Sequence, residues 1–294
     1  MKTLLQIAIV LIFAVPGVFS QTTSSGETVI RLKPAPRPQT RGSFLASMPR
    51  EPAFAPPMSS EARKLIAPNP EDSRKFSDFL KQPKTGMIRL FSQNDCAASS
   101  RVVDVSSDTC FARSTIIGKG SAYSFREKGY RPRTLADLQL KDNWLIASGY
   151  ATQGILVSLG DVELSKVTLE TDAMRFLISF TPAVSVEEAD KQLQKLTEGI
   201  HAEKHLYRTL LPAAENTTYV LRSIAYRGNF SRSVTAPGGR IWRIDPIAGD
   251  DRVDTIIAFR IVRRDTDNSL TLLWKELERK NSPKLLVKSE NKTN

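Results

Sequence analysis

The sequence predicts an α+β protein: mostly antiparallel β-sheet, with one packed amphipathic helix and short N-terminal helices. Three observations predict it. From Met87 to Val262 the chain is dominated by short runs rich in β-branched and aromatic residues, several of them alternating apolar and polar. A single long helical pattern, "SVEEADKQLQKLTEGI", interrupts those runs. Two shorter, proline-bounded helical patterns precede them between Ser59 and Pro83.

Each element has a local reason. "SSEARKLIA" reads as a short helix stopped by Pro68. Asn69 then caps a second helix, with Pro70 at its first position and Glu71 and Asp72 near its positive end. Phe76, Phe79 and Leu80 give that helix one apolar stripe, which packs on the chain's own core, and Pro83 ends it. The strand candidates are "MIRLFS", "RVVDV", "SAYSFRE", "LIASGY", "GILVSLG", "TTYVLRSIAY" and "DTIIAFRIV". In the long helix, Ser185 and Glu188 form a capping box. Val186, Ala189, Leu193, Leu196 and Ile200 share one face, which covers the sheet, and Gly199 stands at the C-terminal cap. No repeat of fixed period is present.

Residues 1–20 carry the three-part pattern of a secretory signal peptide: Lys2, the apolar run Leu4–Val15, then Pro16, Gly17 and small residues at Val18 and Ser20. A retained anchor is the alternative, but a span needs about 20 apolar residues and this run stops short. The predicted setting is therefore secreted or periplasmic, with no transmembrane span after cleavage. Residues 21–58 read as a disordered, proline-rich leader, carrying "KPAPRPQTRG" and "PREPAFAPP". Residues 59–287 read as one β-rich domain, and 288–294 as a frayed tail. The two cysteines, Cys96 and Cys110, suit an exported disulfide closing a fifteen-residue loop. Such a bridge is worth about 3 kcal/mol on the chain-entropy model. The alternative is a pair of free thiols. The net charge of +11 favours anionic partners, namely anionic polymer or lipid head groups, with another envelope protein as the further choice. The positive residues are spread along the chain rather than blocked.

Several motifs invite chemistry. In "RRDTDNSLTLLWKE", Asp265, Asp267, Ser269, Thr271 and Glu276 stand at calcium-loop spacings, but Leu270 holds the place that demands glycine. The competing reading is a β-hairpin: Ile257, Phe259 and Ile261 on one strand, Leu270, Leu272 and Trp274 on the facing one, and "DTDNS" as the turn. It is preferred, because an extended strand carries Glu276 over about 20 Å from the turn. A low-affinity ion held by Asp265 and Asp267 at the loop tip is the minor alternative. "HAEKH" contains the only two histidines, His201 and His205, with Glu203 misplaced for a zinc-protease pattern, and reads as an exposed connector. "GKGS", Gly118 to Ser121, lacks the rest of a phosphate loop and reads as a glycine turn. "APGGRIWR" reads as a loop with Trp242 folded under it; the alternative is a candidate binding surface of Arg240, Trp242 and Arg243, with Asp245 beside them. Asn216, Asn229 and Asn291 fit the glycosylation pattern, which matters only in a host that glycosylates. No cofactor is predicted.

"YVLRSIAYRG" and "DTIIAFRIVRRDTDNSLTLLWKEL" resemble segments of uncharacterised exported bacterial proteins. The resemblance covers about a quarter of the chain and implies an envelope or extracellular setting, with no activity attached. With no complete catalytic motif, the expected role is a secreted or envelope-associated binding or scaffold protein with a basic surface. The alternatives are a secreted hydrolase using acidic residues, and a regulatory or inhibitory module docked by a sheet edge.

Overall fold

The computed structural model describes residues 44–45, 60–92, 97–99, 102–103, 120–235 and 239–287. All of them belong to the unit Lys33–Asn294. The signal peptide, Cys96, Cys110 and the tail 288–294 lie outside the described residues. Of the leader 21–58, only Phe44 and Leu45 are described.

Three short helices come first: α1 (Ser60–Ile66), α2 (Pro70–Lys75) and α3 (Ser77–Leu80). Strands β1 (Thr85–Leu90), β2 (Ala97–Ser99), β3 (Val102–Val103), β4 (Ala122–Ser124), β5 (Gly129–Tyr130), β6 (Leu138–Lys141), β7 (Trp144–Ile146), β8 (Ser148–Gly149) and β9 (Thr152–Gly160) follow. Helices α4 (Met174–Ser179) and α5 (Val186–Glu198) come next. The chain then runs through β10 (Ile200–Ala202), β11 (His205–Tyr207), β12 (Leu210–Pro212), β13 (Thr218–Ala225), β14 (Arg232–Thr235), β15 (Ile241–Ile244), β16 (Val253–Arg264) and β17 (Leu270–Asn281). The protein is thus strand-rich with few helices. Among the described residues, no helix is long and apolar enough to cross a membrane.

A six-stranded sheet runs β1-β17-β16-β13-β9-β8 and a five-stranded sheet runs β12-β7-β6-β4-β5, antiparallel throughout. The two sheets share one core. Ile257, Phe259 and Ile261 of β16 and Leu270, Leu272 and Trp274 of β17 meet Tyr123, Leu138, Leu140 and Leu145 of the smaller sheet. Phe125 is stacked on Phe259, with centroids 6.3 Å apart, and edge-on to Trp274 at 5.5 Å. Period-two alternation sends Ile256 and Ala258 to the opposite face, where Met174 and Leu177 of α4 and Leu196 of α5 cover them. The central strands are therefore apolar on both faces, as a sheet packed on two sides requires.

The pattern-based hairpin is present: β16 and β17 pair with Phe259 opposite Trp274 and Ile261 opposite Leu272. Helix α5 is capped by Ser185, whose Oγ accepts the Glu188 N–H at 3.2 Å. The return bond lands one residue earlier than a capping box expects, Glu188 Oε2 accepting the N–H of Val184 at 2.9 Å. Gly199 ends the helix at φ +107°, and a Cβ there would meet Leu206 Cδ1 at 2.8 Å. The helix face predicted for the sheet serves two clusters: Leu196 joins the α4 cluster, while Ala189 joins a third core around Tyr150, Tyr226, Phe230, Ile247 and Leu285.

Several expectations are corrected. The single helix expected after Asn69 breaks at Phe76 (φ −105°, ψ 19°) into α2 and α3, although Phe76, Phe79 and Leu80 still pack on the core. "LIASGY" is not one strand. Its chain leaves the small sheet at Ile146 and enters the large one at Ser148. That switch presses Ala147 onto β9, where a Cβ on Gly154 would lie 2.2 Å from the Ala147 carbonyl oxygen. "HAEKH" is exposed at His201, Glu203 and Lys204, as an exposed connector would be, and it is paired as the tight hairpin β10–β11. "APGGRIWR" is not all loop, since Ile241–Ile244 form β15, paired with β14.

Candidate functional site

The β14–β15 ribbon carries the surface residues the sequence points to. It forms a two-stranded sheet of its own, with Ser233 opposite Arg243, Val234 opposite Trp242 and Thr235 opposite Ile241. Ile241 is 70 % exposed and Ile244 45 % exposed, and alternation places them on opposite faces, so both faces are open to solvent at these positions. Arg240, Arg243 and Asp245 are exposed as well. An isolated hairpin is marginal in water, so its base must be held. Phe230 before it and Ile247 after it are both buried in the third core, and Phe230 lies edge-on to Tyr150 at 5.9 Å. Asp245 closes the ribbon, its Oδ1 accepting the Ile247 N–H at 3.1 Å.

Several arginines of the body are tied to carboxylates: Arg89 to Asp265, Arg131 to Glu127, Arg260 to Asp161, Arg263 to Asp72 and Arg279 to Asp251. Among the described residues, no carboxylate forms an ion pair with Arg240 or Arg243. The sequence reasoning named those arginines but missed Ile241 and Ile244. The signal was there: "IWRI" is three strand formers in four residues, between Gly238-Gly239 and Asp245-Pro246.

Asp265 and Asp267 lie in the β16–β17 turn and face the Arg89 guanidinium. Arg89 Nη2 stands 2.9 Å from Asp265 Oδ2 and 3.5 Å from Asp267 Oδ2. Arg89 Nε donates to Ser269 Oγ at 2.9 Å, and Asn268 makes the turn at φ +59°. Glu276 is engaged elsewhere, by Lys84 and Arg279. His201 and His205 are not brought together either. The register pairs His201 with Leu206 and Ala202 with His205, which puts the two imidazoles on opposite faces of the ribbon. Glu203 instead meets Arg175 at 2.5 Å. Among the described residues, no group of three or more metal-binding side chains converges.

A buried polar cluster has no local sequence signal at all. Asp137 accepts from Arg126 Nη1, from Ser124 Oγ at 3.1 Å, from the Arg126 N–H at 3.2 Å and from Ser223 Oγ at 2.5 Å. Arg126 Nη2 also reaches Asp250 Oδ2 at 3.1 Å, and Arg252 Nη1 meets the same oxygen at 2.6 Å. Two arginines and two aspartates so balance in the interior. Burial would pull the Arg126 guanidinium down, but Asp137 and Asp250 outweigh it and hold it up. Arg252 is pushed down to about 10 by burial and by the charge of Arg126. On the opposite face of β13, Arg222 forks onto Asp254, Nε to Oδ1 at 3.0 Å and Nη2 to Oδ2 at 2.6 Å. Two carboxylates held by the same arginine are a structural tie. The carboxyl shifts resolved among the described residues, at Glu127, Glu170 and Asp172, are all downward.

Comparison with known proteins finds no matching family model, no similar curated protein and no similar solved structure.

Proposed function

We propose that this chain is an exported binding or scaffold protein, secreted or periplasmic, of the α+β class, and that it holds anionic partners on the β14–β15 ribbon. The carrying observation is the exposure of Arg240 and Arg243, without a described carboxylate partner, beside the solvent-open Ile241 and Ile244. Cationic side chains attract phosphate, sulfate or carboxylate groups, and adjacent apolar groups add contact area once the charges have docked. The signal-peptide pattern, the net charge of +11 and the resemblance of two segments to exported bacterial proteins support the same reading.

The test compares the wild-type mature chain with an Arg240→Ala/Arg243→Ala variant, on sulfated dextran and on phosphatidylglycerol vesicles at low salt. Each arginine near an anionic surface is worth about 1 kcal/mol, so the double variant should bind about 30-fold more weakly. Retention should fall steeply with salt. Equal retention of variant and wild type, or none by the wild type, rejects the ribbon as the contact. The two matrices separate polymer from lipid as the source of the anionic groups.

One observation favours a second reading, that of a regulatory or inhibitory module. Among the described residues the ribbon is a sheet of only two strands, so each offers an edge on which a partner strand can add. In that case a Thr235→Pro variant would abolish partner capture, while the arginine variant would leave it.

A further inference from the structure

Phe44 belongs to the proline-rich leader, yet it is only 4 % exposed. It sits in the third core, with its ring edge-on to Tyr226 at 5.5 Å between centroids and 86° between planes. Its backbone N–H donates to the carboxylate of Asp190 on α5. Leu45 packs against the same cluster. The receiving ring is fixed. Tyr226 Oη donates to Gln153 Oε1 and accepts the Ala183 N–H, each at 2.9 Å, and its own N–H donates to the Ala151 carbonyl at 2.9 Å. Phe44 and Leu45 lie in a turn, and an aromatic side chain in an apolar seat with a main-chain N–H on a carboxylate is a grip a folded domain offers to such a peptide turn.

Charge points the same way. Residues 31–50 contain five basic residues, Arg31, Lys33, Arg37, Arg41 and Arg50, and no acid. The first half of α5 contributes Glu187, Glu188 and Asp190. We propose that Tyr226 and Asp190 form the two halves of a peptide-recognition site for a basic, aromatic-anchored segment, and that the chain's own segment around Phe44 is its resident ligand. The site holds Phe44 in the same cluster as Phe230 and Ile247, at the root of the β14–β15 ribbon. It does not depend on what the ribbon binds.

The test uses a labelled peptide of residues 31–50, titrated into the mature wild-type chain and into a Phe44→Ala chain shown by thermal melting to be folded. The vacated site should take the peptide at least 10-fold more tightly than the occupied one. A peptide with alanine in place of phenylalanine should lose that binding, and Asp190→Asn in the Phe44→Ala chain should weaken it and flatten its salt dependence. No binding by the Phe44→Ala chain, or equal binding by both chains, overturns the proposal. Hydrogen exchange on the unaltered protein tests the same contact without a variant. The Phe44 amide should exchange at least 10-fold more slowly than in the free peptide, and exchange at the free-peptide rate overturns the proposal even if the variant does not fold.

Discussion

Arg89 Nη2 lies 2.9 Å from Asp265 Oδ2, tying the edge strand β1 to the turn of the β16–β17 hairpin. The same side chain donates to Ser269 and stacks its guanidinium 4.8 Å from the centroid of Phe91. A protein cation thus sits among the oxygens that the sequence spacing offered to calcium. Calorimetric titration of the wild type with calcium should show no heat of binding at this turn. Arg89→Ala removes a half-buried, charge-assisted contact and should cost about 1–2 kcal/mol in denaturant unfolding. Calcium heat that disappears in Asp267→Ala would contradict the assignment.

The Asp137 carboxylate is fully buried and accepts from Arg126, Ser124 and Ser223. Removing one partner of a buried ion pair leaves an uncompensated charge, so Asp137→Ala should cost about 3–5 kcal/mol. Ser223→Ala removes a single neutral donor and should cost about 1 kcal/mol. Urea melts of the two variants check the ordering, and equal losses would mean that Asp137 is not the hub of the cluster.

Glu127 links the strands to the loop before β16: its Oε1 accepts the Asp251 N–H at 2.6 Å and its Oε2 meets Arg131 at 2.9 Å. Burial raises this carboxyl, but the Asp251 N–H and the Arg131 guanidinium more than offset it and leave it below the usual range. A depressed carboxylate contributes stability that is present above the unfolded value, about 4.3, and lost as pH falls through the folded one. Glu127→Gln should therefore lose most against wild type at pH 7, with the gap closing toward pH 3. Melting temperatures across that range are the check, and a gap independent of pH would refute it.

Gly154 has no room for a side chain, because the backbone of Ala147 lies where its Cβ would go. Backbone cannot swing aside as a side chain can, so Gly154→Ala should cost at least about 3 kcal/mol or prevent folding. Alanine at Gly160 (φ +71°), which has open space around it, should cost only about 1 kcal/mol. Expression and thermal melts of the pair distinguish close approach from backbone strain.

The paired β16 and β17, the Ser185 cap and the Asn69 cap were legible because each depends on residues close in sequence. Side-chain direction in a strand follows from parity, so Ile257, Phe259 and Ile261 had to share a face wherever the sheet lay. A cap needs only its own first turn. The break at Phe76 and the transfer of the chain between sheets at Ala147 were not legible, since neither has a local cause in propensity. Of the candidate site, Arg240 and Arg243 could be named, but their setting on an open ribbon could not.

By itself, then, the sequence determined which residues alternate, which turns close and where the longest helix begins. The tertiary structure alone decided that Asp137, Ser223 and Asp250 meet around Arg126, that Arg89 fills the Asp265 turn, and that Phe44 reaches Tyr226. The physical reason is range. Periodicity and capping act through a few bonds of backbone, whereas these buried charges and this aromatic seat draw on partners from 11 residues away (Arg126 and Asp137) to more than a hundred (Arg126 and Asp250, Arg89 and Asp265), which only folding brings together.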